Sequence, residues 1–322
     1  MKVLHVGEYV QGGVATYISM QVVVIIPVYH PDKKFNSLLR MLKQQEDVLF
    51  DFYIVNSGSD KKQYEKDLDG LSYTMVDIDP STFNHGGTRL KAAETCEKYS
   101  FLVYMTQDAV LADKHSLSNL LKAFADKDVG CAYGRQLPNA DAGILAAHAR
   151  LFNYPDKSQI KQLSDKQRLG IKTVFISDTF AAYRCSALYA IGNFPEHVIL
   201  SEDTYVAAKM VLAGWKVAYC ADAKVYHSHN YTIMQEFRRY FDTGVFHAEE
   251  PWIRKSFGVA EGEGKRFVLS ETRYILSHKP WLIISMVMRD GMKFLGYRMG
   301  ISYRFLPRGF IKKVSMMKSY WK

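Results

Sequence analysis

The chain has 322 residues, 48% of them hydrophobic and 23% charged, a globular balance that excludes wholesale disorder. Its four cysteines (Cys96, Cys131, Cys185, Cys220) form no CxxC pair and read as small buried side chains in a reducing compartment, not as a disulfide scaffold. The net charge is +9, but residues 289–322 carry nine Lys or Arg against one acid, Asp290, which leaves +1 for everything before them.

Residues 1–20 (MKVLHVGEYVQGGVATYISM) read as a short strand, a Gly-Gly turn and the start of a helix. A glycine turn after a strand can cradle phosphate, but this pattern is incomplete. The stretch resembles the opening of glycosyltransferases with two facing Rossmann-like domains, and nothing downstream continues that family. It is taken as an extension of unknown role. Glu8, Gly12 and Gly13 stand where a secretory signal needs an apolar core, so a cytoplasmic protein is expected.

Val22 to Val28 is a strand, and from Asp32 to Gln45 the residues Phe35, Leu38, Leu39 and Leu42 share one helical face. Phe52 to Asn56 is a strand running into the turn-rich Ser57–Asp60, and Tyr73 to Ile78 is another. The loop Phe83-Asn-His-Gly-Gly-Thr-Arg89 has glycines that let backbone approach a ligand. After a helix, Phe101-Leu-Val-Tyr-Met105 is apolar throughout, as a buried strand is, and ends in Thr106-Gln107-Asp108. In open α/β sheets ligands gather beyond the carboxyl ends of such strands, which makes Asp108, with Gln107 beside it, a candidate for chemistry. Strands also end in Asp merely to cap a loop. A helix to Ala125 and a strand over Gly130–Tyr133 follow. This alternation predicts an α/β protein with a parallel sheet wrapped by helices.

Arg135 to Gly170 has weaker periodicity and reads as a surface insertion. Residues 201–214 (SEDTYVAAKMVLAG) then predict a helix with Ser201 as N-cap, Glu202 and Asp203 in its first turn, and Gly214 as its stop. Acids are favoured there by about 0.3–1 kcal/mol each without any catalytic task, and the same helix dipole should pull the pKa of Asp203 down. A strand follows, then His227-Ser-His229 on an extended segment. Two histidines two apart point the same way and are candidate metal ligands.

In the basic tail Phe294, Tyr297, Tyr303, Phe305, Phe310, Tyr320 and Trp321 alternate with the cations. That mixture suits an anionic membrane surface, at about 1 kcal/mol per basic residue close to it. The plainer reading is a helical face packed on the body of the protein. No nucleic-acid motif accompanies the charge, so nucleic acid is not an expected partner. The apolar run Trp281–Met288 is too short to cross a bilayer, which takes ~20 residues.

The ordered set IIPVYH, IVNSGSD, FNHGGTR, TQDA, SEDTYVAAKMVLAGW, VYHSHNY and KSYW, from Gln21 to the C-terminus, resembles the family 2 glycosyltransferases, most of all bacterial rhamnosyltransferases of surface-polysaccharide assembly. The resemblance implies a GT-A fold: a Rossmann-like, mostly parallel sheet flanked by helices over residues 21–235, with a basic helical appendage over 236–322. It implies an inverting, cation-dependent enzyme that moves a sugar from a nucleotide donor, dTDP-β-L-rhamnose, to a lipid-linked saccharide at the inner face of the bacterial plasma membrane. By position Asp108 would bind Mg²⁺ or Mn²⁺, with His227 as the late ligand and His229 as second choice. Thr106 stands where a first aspartate is common. Asp203 would be the general base and Glu202 would lie on the acceptor side. Pro27, Tyr29, Asn56, Arg89 and Gln107 would line the donor, Asn56 departing from the usual aspartate beneath the base. A UDP-hexose donor, or a non-catalytic saccharide-binding subunit, are the competing readings.

Overall fold

The computed structural model describes residues 5–11, 14–19, 21–258 and 262–321. Strands β1 (His5–Gln11) and β2 (Val14–Ser19) pair antiparallel, so a second strand stands where a helix start was expected. Val14, Thr16, Tyr17 and Ile18 are strand formers and outweigh the turn-then-helix pattern. Gly12 and Gly13 lie outside the described residues.

The main sheet has nine strands. The first half of the chain supplies β3 (Val22–Val28), α1 (Lys33–Lys43), β4 (Asp51–Asn56), α2 (Glu65–Leu68), β5 (Tyr73–Asp77), α3 (His85–Thr95) and β6 (Phe101–Met105). Then come β7 (Val110–Leu111), α4 (Ser116–Leu121), β8 (Val129–Leu137), α5 (Ile144–Asn153), β9 (Gln159–Lys161), α6 (Lys166–Leu169), β10 (Phe180–Arg184) and α7 (Cys185–Ala190). Last are α8 (Glu202–Leu212), β11 (Lys216–Tyr226), α9 (Ile233–Glu249), α10 (Pro251–Phe257), α11 (Glu263–His278), α12 (Ile283–Ile301) and α13 (Arg308–Val314).

The strand order is β5-β4-β3-β6-β10-β8-β11-β7, with β9 also on β11. Strands β3 to β6 are parallel, β8 and β11 are parallel, and β10 runs against both of its neighbours. This is the mixed, largely parallel sheet of a GT-A domain. Alternate side chains serve two cores: Ile25, Tyr104 and Ala181 face one cluster, and Val24, Val103 and Ala182 face the other, which α1 covers with Phe35, Leu38, Leu39 and Leu42.

Strands β7 and β9 also run against β11, but it is the reversed central strand β10 that matters for the site. The carboxyl ends of β3, β4, β6, β8 and β11 share an edge with the start of β10, so Tyr29, Asn56, Asp108, Gln136, His227 and the Ser177–Thr179 turn converge there. The segment 135–170 is not a surface insertion. Its Gln136, His148, Tyr154 and Lys161 are buried, because β8 extends to Leu137 and α5 lies against it.

The C-terminal helices are joined to α9 at a glycine seam. A Cβ at Gly244, Gly296 or Gly300 would collide with backbone oxygens of Tyr297, Phe237 or Phe241 respectively. The end of the tail also packs inward: Ile311 and Val314 are buried, and Asp242 of α9 accepts from the Met316 and Met317 backbone N–H groups at 2.8 and 3.2 Å. For this last stretch the plainer reading of the tail is the right one. Position 235/236, the expected domain boundary, falls within the first turn of α9. Among the described residues no helix is long and apolar enough to cross a membrane.

Candidate active site

At the end of β6 the Asp108 carboxylate meets the two imidazoles that follow β11. Its Oδ2 lies 3.5 Å from Nε2 of His227 and 3.7 Å from Nε2 of His229. One ligand atom from each of the three residues fits within 4.8 Å of the others. Behind them, Nδ1 of His227 is 2.9 Å from Oε1 of Gln136, an acceptor that also takes a bond from Arg150 at 2.8 Å. The Gln136 amide nitrogen donates to the Ser177 hydroxyl at 2.9 Å, which fixes which end of the amide is which. His227 must therefore donate from Nδ1. Burial holds its pKa below the ordinary histidine value, so its Nε2 is a bare lone pair aimed at a carboxylate oxygen. Two acceptors facing one another in a half-buried cleft call for a cation between them, and the Gln136–His227 bond is the outer support that metal-bound histidines have. The donor set fits a divalent ion.

The second cluster lies at the N-terminus of α8 and is buried more deeply. Glu202 is buried; Arg89 of α3 reaches its Oε1 at 2.8 Å and Oδ2 of Asp178 at 2.7 Å. Tyr183 donates to the other Asp178 oxygen at 2.5 Å. Asp203 accepts from two backbone N–H groups, Thr204 at 2.6 Å and Asp178 at 3.2 Å. Burial and then the negative charges of Asp178 and Glu202 push Asp203 up to about 8. The helix dipole and the two backbone bonds do not offset that crowding, so the expected downward shift is overturned. Burial would also raise Glu202, but Arg89, His85, a backbone N–H and Arg239 together outweigh it and hold that carboxyl below its usual range. Asp178 is pushed up to about 6, chiefly by burial.

Ser201 precedes α8 in the left-handed region (φ +62°), and its side chain makes no capping bond. Its expected role as a side-chain cap is not realised. A non-glycine residue there is strained, and the strain sits immediately before the two acids.

The turn before β10 joins the two clusters. Ser177 binds Gln136 behind His227, Asp178 binds Asp203, and the carbonyl of Thr179 accepts from the backbone of Thr106 at 3.3 Å, two residues from Asp108. On the donor side, Gln107 pairs with the backbone of Tyr29 in both directions, at 2.8 and 2.9 Å. Gln107 thus positions the loop after Pro27 and leaves the Tyr29 ring exposed at the mouth. Asn56 is buried and faces Ser59 and Asp77, to which it donates at 2.7 Å. Arg89 points into the acids, and Glu202 faces Arg89 with His85 beyond it. Sequence reasoning missed Gln136, Ser177 and Asp178. It also passed over Arg239 on α9, whose charge adds to burial in lowering His227 and His229 and at the same time favours ionised Glu202.

The sequence profile described as "Glycosyltransferase like family 2" matches residues 20–242. The chain belongs to the family 2 glycosyltransferases. As a glycosyltransferase it is 46% identical over 302 residues to the O-antigen chain rhamnosyltransferase RfbN of Salmonella typhimurium, covering 94% of this chain and 96% of that one. It is equally similar, 46% over 303 residues, to WbaN of Salmonella anatum, an O-antigen chain rhamnosyltransferase as well, with 92% and 95% covered. Among solved structures the glycosyltransferase fold is shared with a Pyrobaculum calidifontis mannosyltransferase, PcManGT (TM-score 0.54, 17% identity, 94% of this chain and 84% of that one). It is shared too with residues 1–349 of TarS from S. aureus (TM-score 0.52, 17% identity, 88% and 92% covered).

Proposed function

We propose that this enzyme transfers L-rhamnose from dTDP-β-L-rhamnose, with inversion, to a hydroxyl of a lipid-linked saccharide in cell-surface polysaccharide assembly, working at the inner face of the plasma membrane. The likeness to two O-antigen chain rhamnosyltransferases supports the sugar and the polymer. The observation that carries the chemistry is the Ser177–Thr179 turn, which binds the base candidate and the support of the cation site through neighbouring residues.

In this reading Asp203 accepts the proton of the acceptor hydroxyl as its oxygen bonds to C1 of the donor sugar and the C1–O bond to the diphosphate breaks. A positioned base of this kind contributes typically 10²–10⁴-fold, most when its pKa lies near the working pH. Asp178 and Glu202 keep Asp203 basic, and Arg89 keeps that pair of acids folded inside. Asp108, His227 and His229 would hold a divalent cation, which when bound neutralises charge on the diphosphate leaving group. Two imidazoles among three donors favour Mn²⁺ over Mg²⁺. Tyr29 offers its exposed ring to the nucleobase, and Arg239 adds positive charge over the cleft.

The test is release of nucleotide diphosphate from a panel of dTDP-, UDP- and GDP-sugars with Mn²⁺ and a saccharide acceptor. Turnover of dTDP-rhamnose, lost in both Asp108→Ala and Asp203→Asn, is the expected result. Preference for a UDP-hexose would replace the donor, and turnover untouched by both variants would sink the assignment of the site.

A further inference from the structure

The solvent-facing stripe of α12 is apolar. A helix on a protein surface normally turns its polar side outward, but Ile284, Val287, Met288, Phe294 and Leu295 are exposed at i, i+3/i+4 spacing, with Ile284 at 71% and Phe294 at 68%. Trp281, in the elbow before the helix, is 70% exposed, and Phe305 just beyond it is 90% exposed. The opposite side of α12 is occupied: Met286, Gly296 and Gly300 are buried, the two glycines against α9. The outward apolar stripe is therefore surplus to the core.

Charge identifies what covers it. Residues 264–322 hold thirteen Lys or Arg and two acids, Glu271 and Asp290. Both acids face inward: Glu271 is buried, and Asp290 pairs with Lys293 at 3.0 Å. Lys279 and Arg298, which flank the stripe, and Arg304 and Arg308 beyond it, are exposed. An apolar stripe with a rim of cations and, among the described residues 264–321, no outward acid matches the boundary between acyl chains and anionic headgroups. It matches a second copy of this chain poorly, because the same cations would face one another.

We infer that the outer face of α12 with the Trp281 elbow is the surface on which the enzyme docks into an anionic bilayer. The packed end of the tail, residues 311–321, does not supply it. The inference deepens the proposed function, on which it rests only for the reason that the acceptor lies in the membrane. Docking there also orients the cleft: α12 reaches the loop that carries His229 through Arg289, which donates to the Tyr231 carbonyl at 2.6 Å.

The experiment uses the full chain and vesicle flotation, with phosphatidylcholine alone or mixed with phosphatidylglycerol. Flotation with the mixed vesicles only, weakened by high salt, is expected, with a blue shift of tryptophan emission that Trp281→Phe abolishes. I284E/F294E, which alters only exposed side chains, should lower the bound fraction about tenfold while nucleotide release in solution is unchanged. Flotation that survives I284E/F294E, or is equal on neutral vesicles, overturns the inference. So does sedimentation of the wild type as a dimer that this variant dissociates. These outcomes are read whether or not any donor is turned over, so failure of the donor assay leaves them intact.

Discussion

The two ends of the cleft solve opposite electrostatic problems. At one end Asp108 and His229 are half-buried beside a buried His227, and lone pairs face each other with room for a cation between them. Around Asp203 the groups are buried deeper, one guanidinium pairs with two of three crowded carboxylates, and the third is pushed up to about 8. The first end is incomplete without a ligand, whereas the second is complete but strained by its own charge. The proposed transfer uses both: an open seat for a diphosphate that arrives charged, and a closed carboxylate that gives up its charge as it takes the proton.

Three perturbations would break or sharpen that contrast. The largest expected effect is on the closed end. Arg89→Met leaves Asp178 and Glu202 buried without their cation and should cost about 3–5 kcal/mol of stability, read from denaturant unfolding. An unchanged midpoint would mean the acids are hydrated and the end is not closed. Next is the open end. Gln136→Ala removes the support of His227, together with the bonds to Arg150 and Ser177, so Mn²⁺ affinity measured by calorimetry should fall about 10–100-fold. Affinity equal to wild type would remove His227 from the cation site.

The smallest effect is in pH. Only the ionised form of Asp203 can take a proton, so turnover should climb about tenfold per pH unit below about 8 and level off above it. Stability should move the other way. A carboxyl whose folded pKa is raised binds its proton more tightly in the folded state, so stability falls as pH rises from about 4 toward 8. Asp203→Asn should accordingly lose turnover yet raise the melting temperature at pH 8 by about 2 °C or more. A variant that melts lower at that pH would show the carboxylate to be stabilising and the crowding argument wrong.

Much of this was legible in the chain because the signals are local. Asp108 ends an apolar strand, Glu202 and Asp203 open a helix, and His227 and His229 alternate on an extended segment, so each declares itself within a few residues. Gln136 declares nothing: it is one amide at the end of a strand, and its use depends on His227, Arg150 and Ser177, far away in sequence. Asp178 is hidden for the same reason, since a turn acid becomes a catalytic neighbour only when a strand runs backward through the sheet. The direction of the Asp203 shift was misjudged because the dipole is read from the helix, and the crowding is not. In the tail, composition suggests an anionic membrane surface as partner but does not separate the packed Ile311 and Val314 from the exposed Ile284 and Phe294.

The glycine seam between α9 and α12 has a consequence for how such enzymes diverge. Helix α9 follows directly on the histidine loop and is also the bed for the C-terminal helices, so the two halves have no clean joint at which to be exchanged. A chimaera that imported a foreign C-terminal region after residue 249 would set new side chains against Gly244 and push α9, with the histidine loop ahead of it, out of register. Acceptor range in this lineage should therefore evolve by substitution in place, with the catalytic and peripheral halves inherited together.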